Sequence, residues 1–180
     1  MLTKQLIRKN ISKKRKTLDS NTINTCKKNA LDKIKHHYMF DKSKNIALYW
    51  PKDNEVDPTL LINIDSTKKF YLPIIQKNKT LIFGEVSKMT NLVPNKYNIL
   101  EPEGTDLVTA NSLDLIILPS IAIDINKNRI GSGGGYYDRT FELKKNLKSP
   151  YIMALIYKFQ HIKSIPTEKH DIKCDDVIIV

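Results

Sequence analysis

The sequence LDLIILP, residues 113–119, predicts a strand that is buried on both faces, because its apolar residues run on without polar alternation. Several shorter apolar runs have the same character, and helical patterns separate them. Further strands are predicted at residues 46–50, 70–74, 80–83, 152–157 and 177–180. Buried strands that alternate with helices indicate a parallel sheet covered on both sides. We therefore predict a three-layer α/β/α domain with a mainly parallel sheet.

Helical spacing of apolar residues dominates the first 40 positions. Thr3 is placed to cap a first helix, and Asp19 or Ser20 to cap a second. Helices are predicted over residues 3–18, about 20–40, 56–64 and from 136 to about 145.

The charge of the chain is concentrated at its N-terminus. The 180 residues carry a net charge of +11, and residues 1–44 account for +10 of it. Such a face suits a nucleic acid, an anionic membrane or a phosphate-bearing ligand, and a merely solvated lysine-rich helix has the same pattern. Nucleic acid is disfavoured because the first 35 residues contain no Phe, Tyr or Trp. The length favours one domain, residues 1–180, with residues 1–44 packed on the sheet.

The composition also excludes several classes of protein. No apolar run approaches the length of a membrane span, and the N-terminus lacks the apolar core of a secretory signal. Cys26 and Cys174 lie far apart and form no metal-ligand motif. A reducing cytoplasm fits this cysteine pattern best, and we expect no membrane partner.

Residues 128–139, NRIGSGGGYYDR, hold four of the chain's six glycines and two of its four arginines, Arg129 and Arg139. Glycines let backbone N–H groups approach an anion, and the following helix adds its positive dipole end. The stretch is neither a Walker A loop nor a dinucleotide-binding fingerprint. The clustering favours Gly133 and Gly135 as space for phosphates rather than as turn geometry alone. A flexible surface loop and the phosphate loop of a small-molecule kinase are alternative interpretations.

RIGSGGGYYDR resembles the signature of the 5-formyltetrahydrofolate cyclo-ligases, also called methenyltetrahydrofolate synthetases. The only departure is Ile130 in place of Leu. Four further features of that family occur in the same order along the chain. They are Lys4 with Arg8, Glu55-Val56-Asp57 after a strand, Glu101-Pro102, and His170-Asp171 with Asp175.

The resemblance implies an ATP-driven cyclisation. The formyl oxygen of 5-formyltetrahydrofolate takes the γ-phosphoryl group of ATP, and attack by N10 on this iminophosphate gives 5,10-methenyltetrahydrofolate, ADP and phosphate. It also implies Mg²⁺, a monomer with no nucleic-acid partner, and a fold shared with ribose-phosphate isomerases and CoA transferases. The implied ATP-binding residues are Lys4, Gln5, Leu6, Ile7, Arg8, Arg129, Ile130, Gly131, Ser132, Gly133, Gly134, Gly135, Tyr136 and Tyr137.

The remaining predicted site residues are aromatic or acidic. Trp50 can stack on a flat pterin, or fill the core, and Glu55 after a strand can pair with pterin donors. The resemblance adds Tyr97 to this folate pocket. Asp138 offers a hard oxygen ligand for Mg²⁺, or a favourable charge at a helix start, and the resemblance implies Asp171 as its metal partner.

Overall fold

The computed structural model describes residues 3–142 and 150–180. Two 3₁₀ turns that bear on the packing are Thr59–Asn63 and Ala110–Ser112. The α-helices are α1 (Lys4–Lys16), α2 (Ser20–Lys35), α3 (Tyr38–Lys42) and α4 (Tyr136–Glu142). The strands are β1 (Asn45–Ala47), β2 (Lys69–Ile75), β3 (Leu81–Val86), β4 (Leu92–Pro94), β5 (Leu100–Pro102), β6 (Leu107–Val108), β7 (Leu115–Pro119), β8 (Ala122–Asp124), β9 (Arg129–Ile130), β10 (Tyr151–Ile156), β11 (His161–Ile162) and β12 (Asp176–Ile179).

The main sheet has seven strands in the order β12-β10-β7-β1-β2-β3-β6. The pairs from β12 to β2 are all parallel, whereas β3 and β6 form an antiparallel edge. The run at 113–119 provides β7, the central strand of the parallel part. The predicted α/β class with a mainly parallel sheet is thereby confirmed, and the likeness to ribose-phosphate isomerases and CoA transferases stays a prediction.

Apolar residues cover both faces of this sheet, as continuous apolar strands require. On one face Ile117 of β7 packs in a cluster with Ala30 and Ile34 of α2. On the other face Ile116 of β7 packs in a cluster with Phe141 of α4. Successive residues of β7 thus enter two separate cores, with helices on each side.

The first helix packs elsewhere. Ile7 and Ile11 of α1 are buried against Ile121, Ala122 and Ile130, which belong to or flank the three-stranded sheet β11-β8-β9. Because β9 ends one residue before the first clustered glycine, this packing brings α1 beside the glycine loop, the name used below for residues 131–135.

The helix starts are those expected from the sequence. The side chain of Thr3 accepts a hydrogen bond from the backbone N–H of Leu6, and that of Asp19 accepts one from Thr22. The predicted helix at 56–64 is a short 3₁₀ turn, Thr59–Asn63. The predicted part of α4 beyond residue 142 lies outside the described residues. No helix within 3–142 and 150–180 is long and apolar enough to cross a membrane.

Two features of the sheet differ from the sequence-based prediction. The strand predicted at 46–50 ends at Ala47, because after one more bond, from Leu48 N–H to the Tyr71 carbonyl, the chain leaves the sheet. The antiparallel edge and the hairpin β4–β5 were not predicted. A strand was predicted at the position of β3 but not its antiparallel pairing, and β4, β5 and β6 are short and partly exposed, so they carry little apolar periodicity.

Candidate functional site

One cavity of about 1180 Å³ opens where the chain leaves the carboxyl ends of β1 and β7. Tyr49 and Trp50, which follow β1, line it together with Ser120 and Ile121, which follow β7. Ligands of α/β proteins characteristically bind at this edge of a parallel sheet. The cavity is therefore in the position where the fold itself favours a small-molecule site.

The predicted site residues converge on this cavity from distant parts of the sequence. Of the implied ATP-binding residues, Leu6 and Ile7 do not line it: Leu6 is exposed and Ile7 is buried against the three-stranded sheet. The predicted residues that do line it are Lys4, Gln5, Arg8, Trp50, Glu55, Tyr97, Arg129, Ile130, Gly131, Ser132, Gly133, Gly134, Gly135, Tyr136, Tyr137, Asp138 and Asp171.

All four arginines of the chain line the cavity. Arg8 and Arg15 come from α1, Arg129 from β9 and Arg139 from α4. The other 26 basic residues are lysines, and most of them lie on the solvated surface. Guanidinium groups bind carboxylates and phosphates through paired hydrogen bonds, so their concentration here indicates a site for anionic ligands.

The glycine loop has backbone angles that only glycine adopts freely. Gly133 has φ of +104° and Gly135 has φ of +67°. A β-carbon at Gly135 would lie 2.6 Å from Nη1 of Arg139, whereas one at Gly133 would meet nothing nearer than 3.7 Å. The sequence favoured ligand space over turn geometry, and the positive φ values show that backbone geometry also favours glycine at both positions.

Lys4 and Arg8 of α1 face the glycine loop and the residues near 170. Nε of Arg8 donates to the carbonyl of Gly131 at 2.9 Å, and Nζ of Lys4 lies 2.7 Å from Asp171 and 3.0 Å from Glu168. Burial opposes the charged forms, but these contacts outweigh it: they raise the pKa of Lys4 and lower the pKa of Asp171. Both groups are therefore charged at neutral pH.

The second predicted metal ligand, Asp138, is paired with the most buried arginine of the site. Its Oδ1 lies 2.5 Å from Nη2 of Arg129 and also accepts a hydrogen bond from the backbone N–H of Ile172 at 3.3 Å. The side chain of Arg129 is 3% exposed, and its Nε has no partner among the described residues. Since Ile172 follows Asp171, the two aspartates belong to neighbouring parts of the cavity wall.

Trp50 and Glu55 belong to the segment that follows β1, and both line the cavity. Trp50 lines the cavity and also packs against the core, so both interpretations of this residue apply. Glu55 accepts hydrogen bonds from Nη1 of Arg15 at 3.2 Å and from the backbone N–H of Lys52 at 3.1 Å. Burial raises the pKa of Glu55, and Arg15 only partly offsets that effect.

Tyr97 and Tyr136 close one edge of the cavity. Tyr97 belongs to the turn between β4 and β5, and its hydroxyl lies 2.9 Å from that of Tyr136 at the start of α4. The two rings meet edge to face, with centroids 6.2 Å apart. This contact connects the hairpin to the glycine loop.

Sequence reasoning missed Arg15, although the signal was present. Lys4, Arg8, Ser12 and Arg15 follow the spacing i, i+4, i+8 and i+11, which places them on one helix face, and all four line the cavity. The pattern is hard to recognise in the sequence because exposed lysines lie between these positions, namely Lys9, Lys13, Lys14 and Lys16.

The fold and this cavity are those of an α/β enzyme with a small-molecule site rich in arginine. The model of the 5-formyltetrahydrofolate cyclo-ligase family matches residues 1–180, and the chain belongs to this family. The family's reaction is the ATP-dependent conversion of 5-formyltetrahydrofolate to 5,10-methenyltetrahydrofolate.

Individual relatives agree with this membership. A 5-formyltetrahydrofolate cyclo-ligase of Haemophilus influenzae is 33% identical over 77% of this chain and 76% of its own length. The Mus musculus enzyme of the same name is 30% identical over 81% of this chain and 78% of its own. The structure of Aquifex aeolicus 5,10-methenyltetrahydrofolate synthetase superposes with a TM-score of 0.85 at 27% identity, covering 99% of this chain and 90% of that one.

Proposed function

We propose that the cavity binds ATP and 5-formyltetrahydrofolate together and catalyses the family's cyclisation there. The observation that carries the proposal is the shared cavity, which joins the glycine loop, the basic face of α1 and the loop of Trp50 and Glu55. Its volume of about 1180 Å³ exceeds the usual size of a site for one small ligand.

The glycine loop and α1 form the proposed triphosphate site. In this proposal the backbone N–H groups of Gly133 and Gly135 bind phosphate oxygens, Arg129 supplies a buried charge, and Lys4 and Arg8 line the cavity from α1. Gln5, Ile130, Ser132 and the rings of Tyr136 and Tyr137 complete the surroundings of the nucleotide. Nucleotide phosphates in this position would compete with Asp138 and Asp171 for their present partners, Arg129 and Lys4.

We propose Mg²⁺ as the metal that accompanies ATP. Asp138 and Asp171 provide hard oxygen ligands on adjacent wall segments, because Asp138 accepts the N–H of the residue after Asp171. Among the described residues no group of three His, Cys, Asp or Glu forms a protein-only metal cage. Two carboxylates suit Mg²⁺, which keeps water ligands and shares phosphate oxygens. When bound, it would neutralise charge on the β- and γ-phosphates.

Glu55, Trp50 and Tyr97 form the proposed folate site. A carboxylate accepts the adjacent N–H donors of a pterin, and Trp50 and Tyr97 offer flat apolar surfaces to the ring system. The hydroxyl contact between Tyr97 and Tyr136 lies at the junction of the folate and nucleotide sites.

The reaction requires two displacements. The formyl oxygen bonds to the γ-phosphorus while the bond from that phosphorus to the β–γ bridging oxygen breaks, which releases ADP. N10 then bonds to the formyl carbon, the carbon–oxygen bond to phosphate breaks, and the N10 proton is lost. Orientation and charge neutralisation supply the catalysis, and arginines with positioned backbone N–H groups are suited to both.

The organisation of the protein is also part of the proposal. The lining of the cavity extends from Thr3 to Asp171, which supports a single domain, residues 1–180, and we propose that it acts as a monomer. Cys26 and Cys174 are free thiols, as in a reducing compartment such as the cytoplasm. A relative from Arabidopsis thaliana is named mitochondrial, so the compartment varies among proteins of this name.

The test is conversion of the folate. Purified protein mixed with 5-formyltetrahydrofolate, ATP and Mg²⁺ should develop the absorbance of 5,10-methenyltetrahydrofolate and release ADP and phosphate in equal amounts. ATP hydrolysis without methenyl product would instead favour a kinase or ATPase, and absence of both would contradict the proposal.

A further inference from the structure

We infer that Arg15 is a positioning residue for folate: it holds the loop of residues 52–55 in shape and keeps Glu55 aimed into the cavity. This inference rests on the proposed function, since it assigns Glu55 to the pterin. Arg15 contacts neither substrate in this scheme and acts through Glu55.

The contacts of Arg15 are directed at this loop. Its Nε donates to the carbonyl of Asp53 at 2.9 Å, and its Nη1 donates to Oε1 of Glu55 at 3.2 Å. In return, the side-chain amide of Asn54 donates to the backbone carbonyl of Arg15 at 3.2 Å. Three consecutive residues of the loop are therefore attached to one position of α1.

The loop turns through two successive residues with left-handed backbone. Asp53 and Asn54 have φ of +50° and +59°, which Asp and Asn tolerate better than other non-glycine residues. They reverse the chain, and the bond from the Glu55 N–H to the Lys52 carbonyl, at 3.0 Å, closes the reversal. The bonds from Arg15 to Asp53 and from Asn54 to α1 fix that reversal.

Burial makes the pair sensitive to the loss of either member. Side-chain exposure is 4% for Arg15 and 16% for Glu55, so removal of the guanidinium would leave a carboxylate with little water around it. Burial raises the pKa of Glu55, and the charge of Arg15 opposes that rise. The titratable groups that interact with Glu55 are Arg15, Asp53, Tyr49, Tyr137 and Tyr157.

The same helix thus serves both substrates. Near the start of α1, Lys4 contacts Asp171 and Arg8 contacts the glycine loop, and near its end Arg15 contacts the loop of residues 52–55. The rise of an α-helix places positions 4 and 15 roughly 16 Å apart, on the scale of two ligands bound side by side. The two effects can therefore be separated by mutation.

The experiment measures folate binding without ATP, through quenching of Trp50, the only tryptophan of the chain. Arg15→Met keeps the aliphatic volume and removes the charge, and Lys14→Met removes an exposed charge from the neighbouring position as the matched control. Loss of a hydrogen bond between charged groups should weaken 5-formyltetrahydrofolate binding by about ten- to hundredfold in Arg15→Met. The control should bind like the wild type.

Two readouts distinguish positioning from general damage. The pH below which folate binding is lost should move upward in Arg15→Met, because Glu55 protonates more easily without the guanidinium, and should return toward the wild-type value in Arg15→Lys. In a Glu55→Gln background, Arg15→Met should add little further loss. The rise in melting temperature caused by Mg-ATP should persist in every Arg15 variant that folds, and Arg15→Lys provides the test if Arg15→Met does not fold.

Wild-type folate affinity with an unshifted pH profile in Arg15→Met would overturn the inference, as would an equal loss in the Glu55→Gln background. Failure of the proposed function has a different signature. In that case the wild-type protein itself would bind no 5-formyltetrahydrofolate and form no methenyl product.

Discussion

The two sides of the cavity shift the pKa values of their carboxylates in opposite directions. Beside the glycine loop, hydrogen bonds from Lys4 and the backbone outweigh burial and lower the pKa of Asp171. On the folate side, burial outweighs the charge of Arg15 and raises the pKa of Glu55. The difference suits the proposed ligands: a metal ligand must stay ionised, whereas the partner of a neutral pterin can lie in drier surroundings.

The largest effect on catalytic activity should come from a substitution in the glycine loop, where we propose that the phosphates bind. Gly135→Ala forces a β-carbon to φ of +67° and to within 2.6 Å of Arg139, so catalytic activity should fall by about a hundredfold or more, the scale for loss of a positioned anion donor. Gly104→Ala is the matched control, since Gly104 has the same φ and open space around its missing β-carbon.

Thermal unfolding with and without Mg-ATP separates the two causes. Gly104→Ala should lose stability by about 1–2 kcal/mol, the cost of the left-handed backbone alone, and keep full activity. Gly135→Ala should lose a similar amount of stability, because the nearest atom belongs to the end of the flexible Arg139 side chain, and it should also lose its stabilisation by nucleotide. Retention of that stabilisation would remove the glycine loop from the nucleotide site.

The two predicted metal ligands should differ in their effect on folding. Asp138→Asn leaves Arg129, which is 3% exposed, without its ionic partner, so the free energy of unfolding should fall by about 3–5 kcal/mol. Asp171→Asn leaves Lys4, which is 17% exposed and still contacts Glu168, and should cost less than Asp138→Asn. Both variants should lose activity and regain part of it at high Mg²⁺.

Urea unfolding and activity titrated with Mg²⁺ measure these two properties separately. Equal stability losses in the two variants would mean that burial does not increase the contribution of the Arg129–Asp138 pair to stability. Wild-type activity at low Mg²⁺ would show that neither aspartate binds the metal.

Loss of Arg8 should affect one substrate only. Arg8→Ala removes the charge that we propose contacts phosphate, and the KM for ATP should rise by about ten- to hundredfold while the KM for the folate stays within about twofold. Lys9→Ala, at an exposed neighbouring position, should change neither constant. A parallel rise in both constants for Arg8→Ala would indicate that α1 supports the cavity as a whole.

The opposite pKa shifts predict a defined order of events on acidification. Glu55 takes up a proton at higher pH than Asp171, because its pKa is raised and that of Asp171 is lowered. As the pH falls from neutral, folate binding should therefore weaken before Mg-ATP binding does. Calorimetric titration of each ligand across the pH series checks this order, and the reverse order would contradict the comparison.

The smallest effect is expected at the junction of the two sides. Tyr97→Phe removes the hydroxyl contact with Tyr136, and the KM for the folate should rise about two- to fivefold, as for one exposed hydrogen bond. Tyr136→Phe should have the same effect, and the double variant no more than either. Tyr38→Phe breaks a similar hydroxyl pair with Tyr151 away from the cavity and serves as the control.

Sequence patterns predicted the features that depend on a few neighbouring residues. The apolar run at 113–119 specified a buried strand, Thr3 and Asp19 specified helix starts, and the clustered glycines specified a loop of unusual backbone. The resemblance carried by the glycine loop and the shorter motifs placed the chain in its family. These predictions succeeded because periodicity, capping and φ preferences are local properties.

Tertiary structure alone decided which distant residues meet. Arg15 and Glu55 are 40 positions apart, and nothing in the sequence around either residue identifies the other as its partner. The end of β1 at Ala47 and the approach of Tyr97 to Tyr136 likewise depend on how separate elements pack. Side-chain pairing across such distances is set by the packing of the whole chain, whereas the pattern within one segment reports only its own conformation and the face that it buries.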